Sequence, residues 1–389
     1  MAVVIKQGQE SKKASYRVPF GTVSITKDAK KLINDVIDSG WVTKGKNVKE
    51  FEEKFAALFG VTHGVAVSSG TDADALACAT LYDFGAERGD EVIIPALTFV
   101  ATGNAVLQAG LKPVFVDIKR ETLNIDPAKI EGVITKRTRA IMPVHLMGKP
   151  APMDEIRKIA KKHKLYIIED AAEAHGAEYR SEKVGAMGDM ACFSLYAAHI
   201  ITTIEGGITI TQNEKMAEAL RSLRNHGIEG KFTFKRIGFS AKMNEIEAAV
   251  GLGNIKIFHD ILNKRRRNVY YLIEQFKRFD KYFITLQEDA HEKLGPHAFS
   301  MIVREGLKFG KDELVEYFDR EGVDSRNLFY SIPTQCPSYK FLGHKLGDFP
   351  QAEFASNNGT HIGCHQDLEI PQLEHVVKTT QKFLKSKGY

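Results

Sequence analysis

The stretch DEVIIPALTFVATGNAVLQAGLKPVFVDI (90–118) decides the fold. Its two ends, DEVIIPA (90–96) and KPVFVDI (112–118), are short apolar runs rich in β-branched residues, and a segment of helical spacing lies between them. Strand, crossover helix and strand in one such span make a parallel pair, because two parallel strands can be joined only by a long crossover. The pattern extends in both directions. GVAVSSG (64–70) precedes it, and RAIMPVH (139–145), LYIIEDAA (165–172), MACFSLY (190–196) and GGITITQ (206–212) follow. Runs this uniformly apolar belong to strands covered on both faces, which predicts an α/β fold with a mostly parallel seven-stranded sheet sandwiched by helices. In such sheets ligands gather at the carboxyl ends of the strands, and the chemistry-bearing residues fall at those ends.

At 389 residues the chain exceeds one ordinary core. A large domain over 1–255, including an N-terminal arm, and a smaller α+β C-terminal domain over 256–389 are expected. Residues 243–280 read as a helical bridge with Gly251 and Gly253 as the place for a break, AFSMIVR (298–304) as a strand, and 311–321 and 368–386 as helices. A composition of 43% hydrophobic and 26% charged residues is ordinary for a globular protein and does not suggest disorder. The net charge of +5 is modest, and the densest basic run, Lys264 to Arg267, has no interleaved aromatics, so it reads as a solvated helix face, not a nucleic-acid contact. Cys78, Cys192, Cys336 and Cys364 form no CxxC pair, which argues against a metal site and for a reducing compartment. The stretch MAVVIKQGQESKKASYRV (1–18) lacks the apolar run of a leader, and no later window approaches a membrane span, so a cytoplasmic protein is expected.

Three segments could carry chemistry. In VSSGTDADALACATL (67–81), Gly70 and Thr71 would present backbone N–H groups at a helix N-terminus, a cradle for a phosphate, although ordinary N-capping uses the same residues. IIEDAAEAHGA (167–177) ends an apolar strand on Glu169 and Asp170. A buried carboxylate needs a partner, and either a pyridinium nitrogen or the next helix N-terminus would serve. CFSLYAAHIITTIEGGITI (192–210) places His199 after a strand and before a threonine-rich turn. Taken alone, such a histidine is more often structural than catalytic.

From about residue 19 onward the chain resembles the DegT/DnrJ/EryC1/StrS family of nucleotide-sugar enzymes. The resemblance is carried by PALTFVATGNAVLQAGLKPVFVDI, VHLMGKPAPMDEI, EDAAEAHGA, KVGAMGDMACFS and RNHGIEG, in the family's order and spacing. It implies a fold type I protein of the aspartate aminotransferase superfamily, a homodimer with a shared active site, and pyridoxal 5'-phosphate or pyridoxamine 5'-phosphate as cofactor. Carried over position by position, Gly70, Thr71 and Ser194 would bind the cofactor phosphate, Phe99 would stack on the ring, and Asp170 would pair with the ring nitrogen. The family's aminotransferases read FSF-Y-x-N-K-x-x-T-T-G-E-G-G, whereas this chain reads FSLYAAHIITTIEGG. His199 thus stands at the Schiff-base lysine position and Ile204 at a glycine. An imidazole cannot form that imine, so the cofactor would be held noncovalently.

Glu173 stands where the aminotransferases have Gln in EDxAQ. Together with His199 it resembles the pyridoxamine-dependent nucleotide-sugar 3-dehydratases, such as GDP-4-keto-6-deoxymannose 3-dehydratase. That likeness implies dehydration at C3 of a nucleotide-linked 4-keto-6-deoxyhexose, with L-glutamate re-aminating the cofactor. His199 would act as acid and base, a task suited to an imidazole whose pKa lies near 6.5. Only Cys336 and Cys364 lie toward the C-terminus, so the branch with an iron–sulfur cluster, and its reductase partner, is not implied.

The spacing from His199 to the EGG motif is that of the aminotransferases. A sugar aminotransferase, natural or with its lysine replaced by engineering, is therefore the alternative, and a non-catalytic ligand-binding protein is a third reading. Ser240 stands where many members have an asparagine that reaches the neighbouring subunit's phosphate, with Asn225 and Lys242 as nearby substitutes. Trp41, Lys44 and Gly45 in SGWVTKGKNV resemble the loop that borders the sugar, and His145, Arg326 and His365 are further substrate-side candidates. Packing explains Trp41 and His145 equally well.

Overall fold

The computed structural model describes residues 16–389. Residues 1–15, which hold most of the stretch read as lacking a leader and the start of the expected N-terminal arm, lie outside the described residues. All seven apolar runs are strands of one sheet: β1 His63–Val67, β2 Glu91–Pro95, β3 Lys112–Val116, β4 Thr138–Ile141, β5 Tyr166–Asp170, β6 Met190–Ser194 and β7 Gly207–Thr211. Their spatial order is β1-β7-β6-β5-β4-β2-β3. The pairs among β2 to β6 are parallel, while β7 runs antiparallel to both β1 and β6. The reversal has a local cause. No crossover helix separates β6 from β7, only the loop 195–206, whose ends are joined by the Leu195 N–H donating to the Gly206 carbonyl, so the chain returns alongside β6 in the opposite direction. That loop carries His199.

Side chains alternate along each strand into two cores. Val65, Val92, Ile168 and Cys192 face one, and Ala66, Ile93, Ile167 and Phe193 face the other. A second, antiparallel sheet follows: β8 Phe283–Thr285, β9 Ala298–Val303, β10 Ser325–Asn327 and β11 Gly359–Gly363, in the order β8-β9-β11-β10. Helices Lys311–Arg320 and Ile370–Ser386 accompany it around a third core that includes Phe276, Phe299, Phe318 and Phe383. No helix among the described residues is long and apolar enough to cross a membrane.

Two expectations about the helical bridge are corrected. The helices involved are α1 Lys27–Ser39, α2 Lys46–Phe59, α3 Gly70–Thr80, α4 Val100–Gln108, α5 Glu245–Lys256 and α6 Phe258–Phe276. The break falls at Ile257, between α5 and α6, and not at Gly251 or Gly253, which lie inside α5. Those glycines serve packing. A Cβ on Gly251 would sit 2.5 Å from the Phe51 ring of α2, and one on Gly253 would sit 2.5 Å from Thr26 Oγ1 at the cap of α1. The basic run is not a solvated face either. Arg265 is 1% exposed, and Arg266 donates to the carbonyls of Leu294 and Gly176, so only Lys264 and Arg267 face outward.

Candidate active site

Four loops at the carboxyl ends of the strands converge. The first is the turn from β1 into α3. Ser69 caps the helix, its Oγ accepting from the Asp72 N–H at 3.0 Å, so the capping role is filled by the residue before Gly70 and Thr71. A Cβ on Gly70 would lie 2.7 Å from Ser194 Cβ, which places the helix N-terminus directly against the end of β6. Gly70, Thr71 and Ser194 therefore share one corner, with first-turn N–H groups available to an anion.

Asp170 ends β5 and is 4% exposed. Its Oδ2 accepts from Thr102 Oγ1 at 2.7 Å and its Oδ1 from the Ala172 N–H at 3.2 Å. Burial holds this carboxyl above its ordinary range against the pull of those donors, and no cationic side chain among the described residues forms an ion pair with it. A cation arriving at Asp170 would thus meet a preformed acceptor. Thr102 was not singled out from sequence. It lies one helical turn from Thr98, which it touches at 2.9 Å, and that spacing in PALTFVATG was the available signal. Phe99 precedes α4 as its cap residue, is 46% exposed, and has its ring 5.5 Å from that of Phe329. Asp74, one turn into α3, was also missed: it is buried, its Oδ1 has no partner, and burial, with Asp170 close by, pushes its carboxyl well above the ordinary range.

The loop 195–206 is closed on itself. Leu195 N–H donates to the Gly206 carbonyl at 2.9 Å, and Thr203 N–H and Thr202 Oγ1 both donate to the Leu195 carbonyl at 2.9 Å. Ile200 and Ile201 are buried beneath it, which fixes the height of His199 above the sheet. The ring of His199 lies 5.0 Å from that of His297 and 5.9 Å from that of His175. His199 Nδ1 and both ring nitrogens of His175 are buried without a hydrogen-bond partner.

This surrounding corrects the expected acidity of His199. Desolvation, with the nearby Arg265 guanidinium, lowers its pKa from 6.5 to about 3, so it rests as a neutral imidazole and does not titrate near neutrality. The group that does is Glu173, which burial pushes up to about 7. Glu173 Oε2 accepts from the Met147 N–H at 2.8 Å, and its Oε1 lies 3.7 Å from His297 Nε2.

His145 is fully buried, its Nδ1 accepting from the Ala151 N–H at 2.9 Å and its Nε2 lying 3.1 Å from Glu169, so both nitrogens are used in packing the strand ends. Ser240 and Asn225 face each other in an isolated backbone bridge, and Lys242 Nζ donates to Ser240 Oγ at 2.7 Å. Ser68 N–H donates to the Ala241 carbonyl, which brings this segment beside the α3 turn. Trp41 is 64% exposed and its Nε1 donates to the Lys44 carbonyl at 3.3 Å. The loop is anchored by Glu245, a residue sequence reading passed over: its carboxylate accepts from the N–H groups of Gly45, Asn47 and Val48 at 2.8 to 2.9 Å. Arg326 pairs with Asp324 at 3.0 Å and lies over the Phe20 ring. His365 sits 3.2 Å from the Pro19 carbonyl, pinning the N-terminal segment and facing inward.

Comparison with known proteins fits this arrangement. Residues 23–381 match the model of the DegT/DnrJ/EryC1/StrS aminotransferase family. A GDP-perosamine synthase of Caulobacter vibrioides is 35% identical over 95% of this chain and 98% of its own length. A GDP-4-keto-6-deoxy-D-mannose 3-dehydratase of Yersinia pseudotuberculosis is 32% identical over 93% of this chain and 98% of its own. The solved structure of an E. coli GDP-4-keto-6-deoxy-D-mannose-3-dehydratase with bound hydrated PLP superposes with a TM-score of 0.88 at 28% identity, covering 94% of this chain and 99% of that one.

Proposed function

The chain belongs to the DegT/DnrJ/EryC1/StrS family, and from that premise we propose that it removes the C3 hydroxyl of a nucleotide-linked 4-keto-6-deoxyhexose. Its cofactor is pyridoxal phosphate, and its substrates belong to the nucleotide sugars on which the family acts. The residues fit the cofactor. The corner at Gly70, closed to any side chain there by Ser194, leaves bare N–H groups for a phosphate, and Asp170 offers a buried carboxyl that lacks a cation. When bound in its amine form, the cofactor supplies an amine for the sugar's ketone and a ring that draws off electrons.

The rest is work for side chains. Gly70, Thr71 and Ser194 would hold the phosphate, and Asp170, braced by Thr102, would keep the ring nitrogen protonated by offering it a fixed counter-charge. Phe99, already half-exposed, would cover one ring face. His199 is neutral at rest, so it can take a proton without first losing one. Because its protonated form is disfavoured there, it would hand that proton on promptly, and the departing C3 hydroxyl, leaving as water, is a fitting acceptor. Glu173 would supply the group that titrates near neutrality for the half-reaction with L-glutamate. A lysine at position 199 would instead attach to the cofactor and return a proton to the sugar carbon, giving transamination.

The single observation that carries this reading is the imidazole of His199 at the position the aminotransferases give to lysine, set on the short loop between β6 and β7. A second reading, a sugar aminotransferase, is favoured by the 35% identity to a GDP-perosamine synthase. The substitution His199→Lys separates them. Under the dehydratase reading it halts ammonia release and yields an aminosugar. Under the second reading, the unaltered protein already makes the aminosugar.

A homodimer with a shared site is part of the proposal. Exposed Trp41, Phe232, Phe234 and Ile237 support it, being large apolar side chains on loops that a partner would cover. Light scattering in solution measures the mass directly.

A further inference from the structure

Arg265 is the feature the proposed chemistry leaves unused. It projects from α6, is 1% exposed, and has no carboxylate within ion-pair distance among the described residues. A buried guanidinium is normally paired, because removing a charge from water is costly unless an opposite charge or several acceptors compensate it. Here the compensation is neutral: Nε donates to Gln366 Oε1 at 3.1 Å, and Nη2 donates to the carbonyl of Ala198 at 3.2 Å. Ala198 immediately precedes His199. An arginine supplied with an acid would have been an inert strut, whereas one left positive acts on everything near it.

Groups from four elements surround His199. His175 comes from the loop after β5, His297 from the approach to β9, Tyr196 from the same loop as His199, and Arg265 from α6. Glu173 lies beyond His297, with Oε1 3.7 Å from its Nε2. Three imidazoles thus cluster beside one positive charge that no carboxylate meets at ion-pair distance, Asp367 acting on it only from farther off, and the unpartnered nitrogens of His175 and His199 show that no proton is being shared tightly between them. Burial comes first and Arg265 contributes in lowering the proton affinity of all three.

We propose that Arg265 is a positioning residue: it fixes the backbone beneath His199 through the Ala198 carbonyl and, having no carboxylate at ion-pair distance, keeps the His199 imidazole in its neutral, proton-accepting form. This rests on the reading of His199 as acid and base, but its test does not depend on turnover. The carbonyl contact sets where the ring stands, and the charge sets how readily the ring holds a proton. A lysine could preserve the charge while losing the planar fork.

The experiment is a pH titration of the histidine ring signals by NMR on protein labelled at histidine, with His199→Asn identifying the His199 resonance. In the unaltered protein, His199 is expected to stay neutral well below the ordinary value of about 6.5. In Arg265→Met its titration moves up by about one unit or more, and Arg265→Lys restores much of the original behaviour. The acid limb of the turnover profile of Arg265→Met would then lie at higher pH than that of the unaltered protein. Protonation of His199 near its ordinary pH in the unaltered protein overturns the proposal even if neither variant folds, as does an unchanged titration in a folded Arg265→Met. If the titrations behave as expected but His199→Asn retains turnover, the assignment of His199 as acid and base fails while the role of Arg265 stands.

Discussion

Ile204 sits at φ +78°, in the left-handed region that a β-branched side chain resists, and it does so in the loop that carries His199. Its neighbours hold it there: the Ile204 N–H donates to Thr202 Oγ1 at 2.8 Å, and it bridges to Tyr196. The strain is worth about 1–2 kcal/mol. Ile204→Gly should therefore raise the thermal midpoint, and a fall would mean that the 44% exposed side chain makes contacts worth more than the strain. The identity of this residue was legible, since the family frame has glycine there, but its conformation was not. Glu173 was legible in the same way, and its acidity was not, because burial depends on what folds over it. Its pKa rises from 4.5 to about 7 on folding, so the stability it contributes is complete below 4.5 and is lost as pH climbs through 7. The full shift corresponds to about 3 kcal/mol. Denaturant unfolding of Glu173→Gln should lack that decline between about pH 5 and pH 8, whereas an unchanged slope would place its origin elsewhere.

Among the elements, every strand of the main sheet could be read because strands buried on both faces are apolar throughout, leaving no ambiguity of period. The bridge helices were harder for an instructive reason. Glycine in a helix is read as a breaker, yet Gly251 and Gly253 are kept because α1 and α2 approach α5 too closely for a methyl group. Gly253→Ala should cost about 1–3 kcal/mol through overpacking, despite the better helix propensity of alanine. A gain in stability on calorimetry would show that α1 can shift aside. Arg265 was misread among its charged neighbours. Its spacing held the correction, since it falls on the face formed by Ile261, Leu262, Val269 and Leu272, all buried. A charge on the apolar stripe of an amphipathic helix was the available signal.

At the scale of the whole molecule, the two cores of the large sheet and the core around the second sheet meet at a cluster of buried histidines. His175, His199, His297, His361 and His365 all have their proton affinity lowered, chiefly by burial. Groups depressed on folding contribute stability that is whole above the unfolded value and lost as pH falls toward the folded one. The protein should therefore lose stability steadily from about pH 6.5 downward, as circular dichroism would record, and a flat acid limb would contradict the burial of these rings. Such convergence was invisible in the sequence, where these residues are spread over nearly two hundred positions. The measurement that bears most directly on the account is the fate of the nitrogen. After glutamate has converted the cofactor to its amine form, GDP-4-keto-6-deoxymannose is added and free ammonia is quantified against sugar consumed. Ammonia released together with a 3-deoxy sugar is the predicted result. Nitrogen retained on the sugar, with no ammonia, would contradict it and make the protein an aminotransferase.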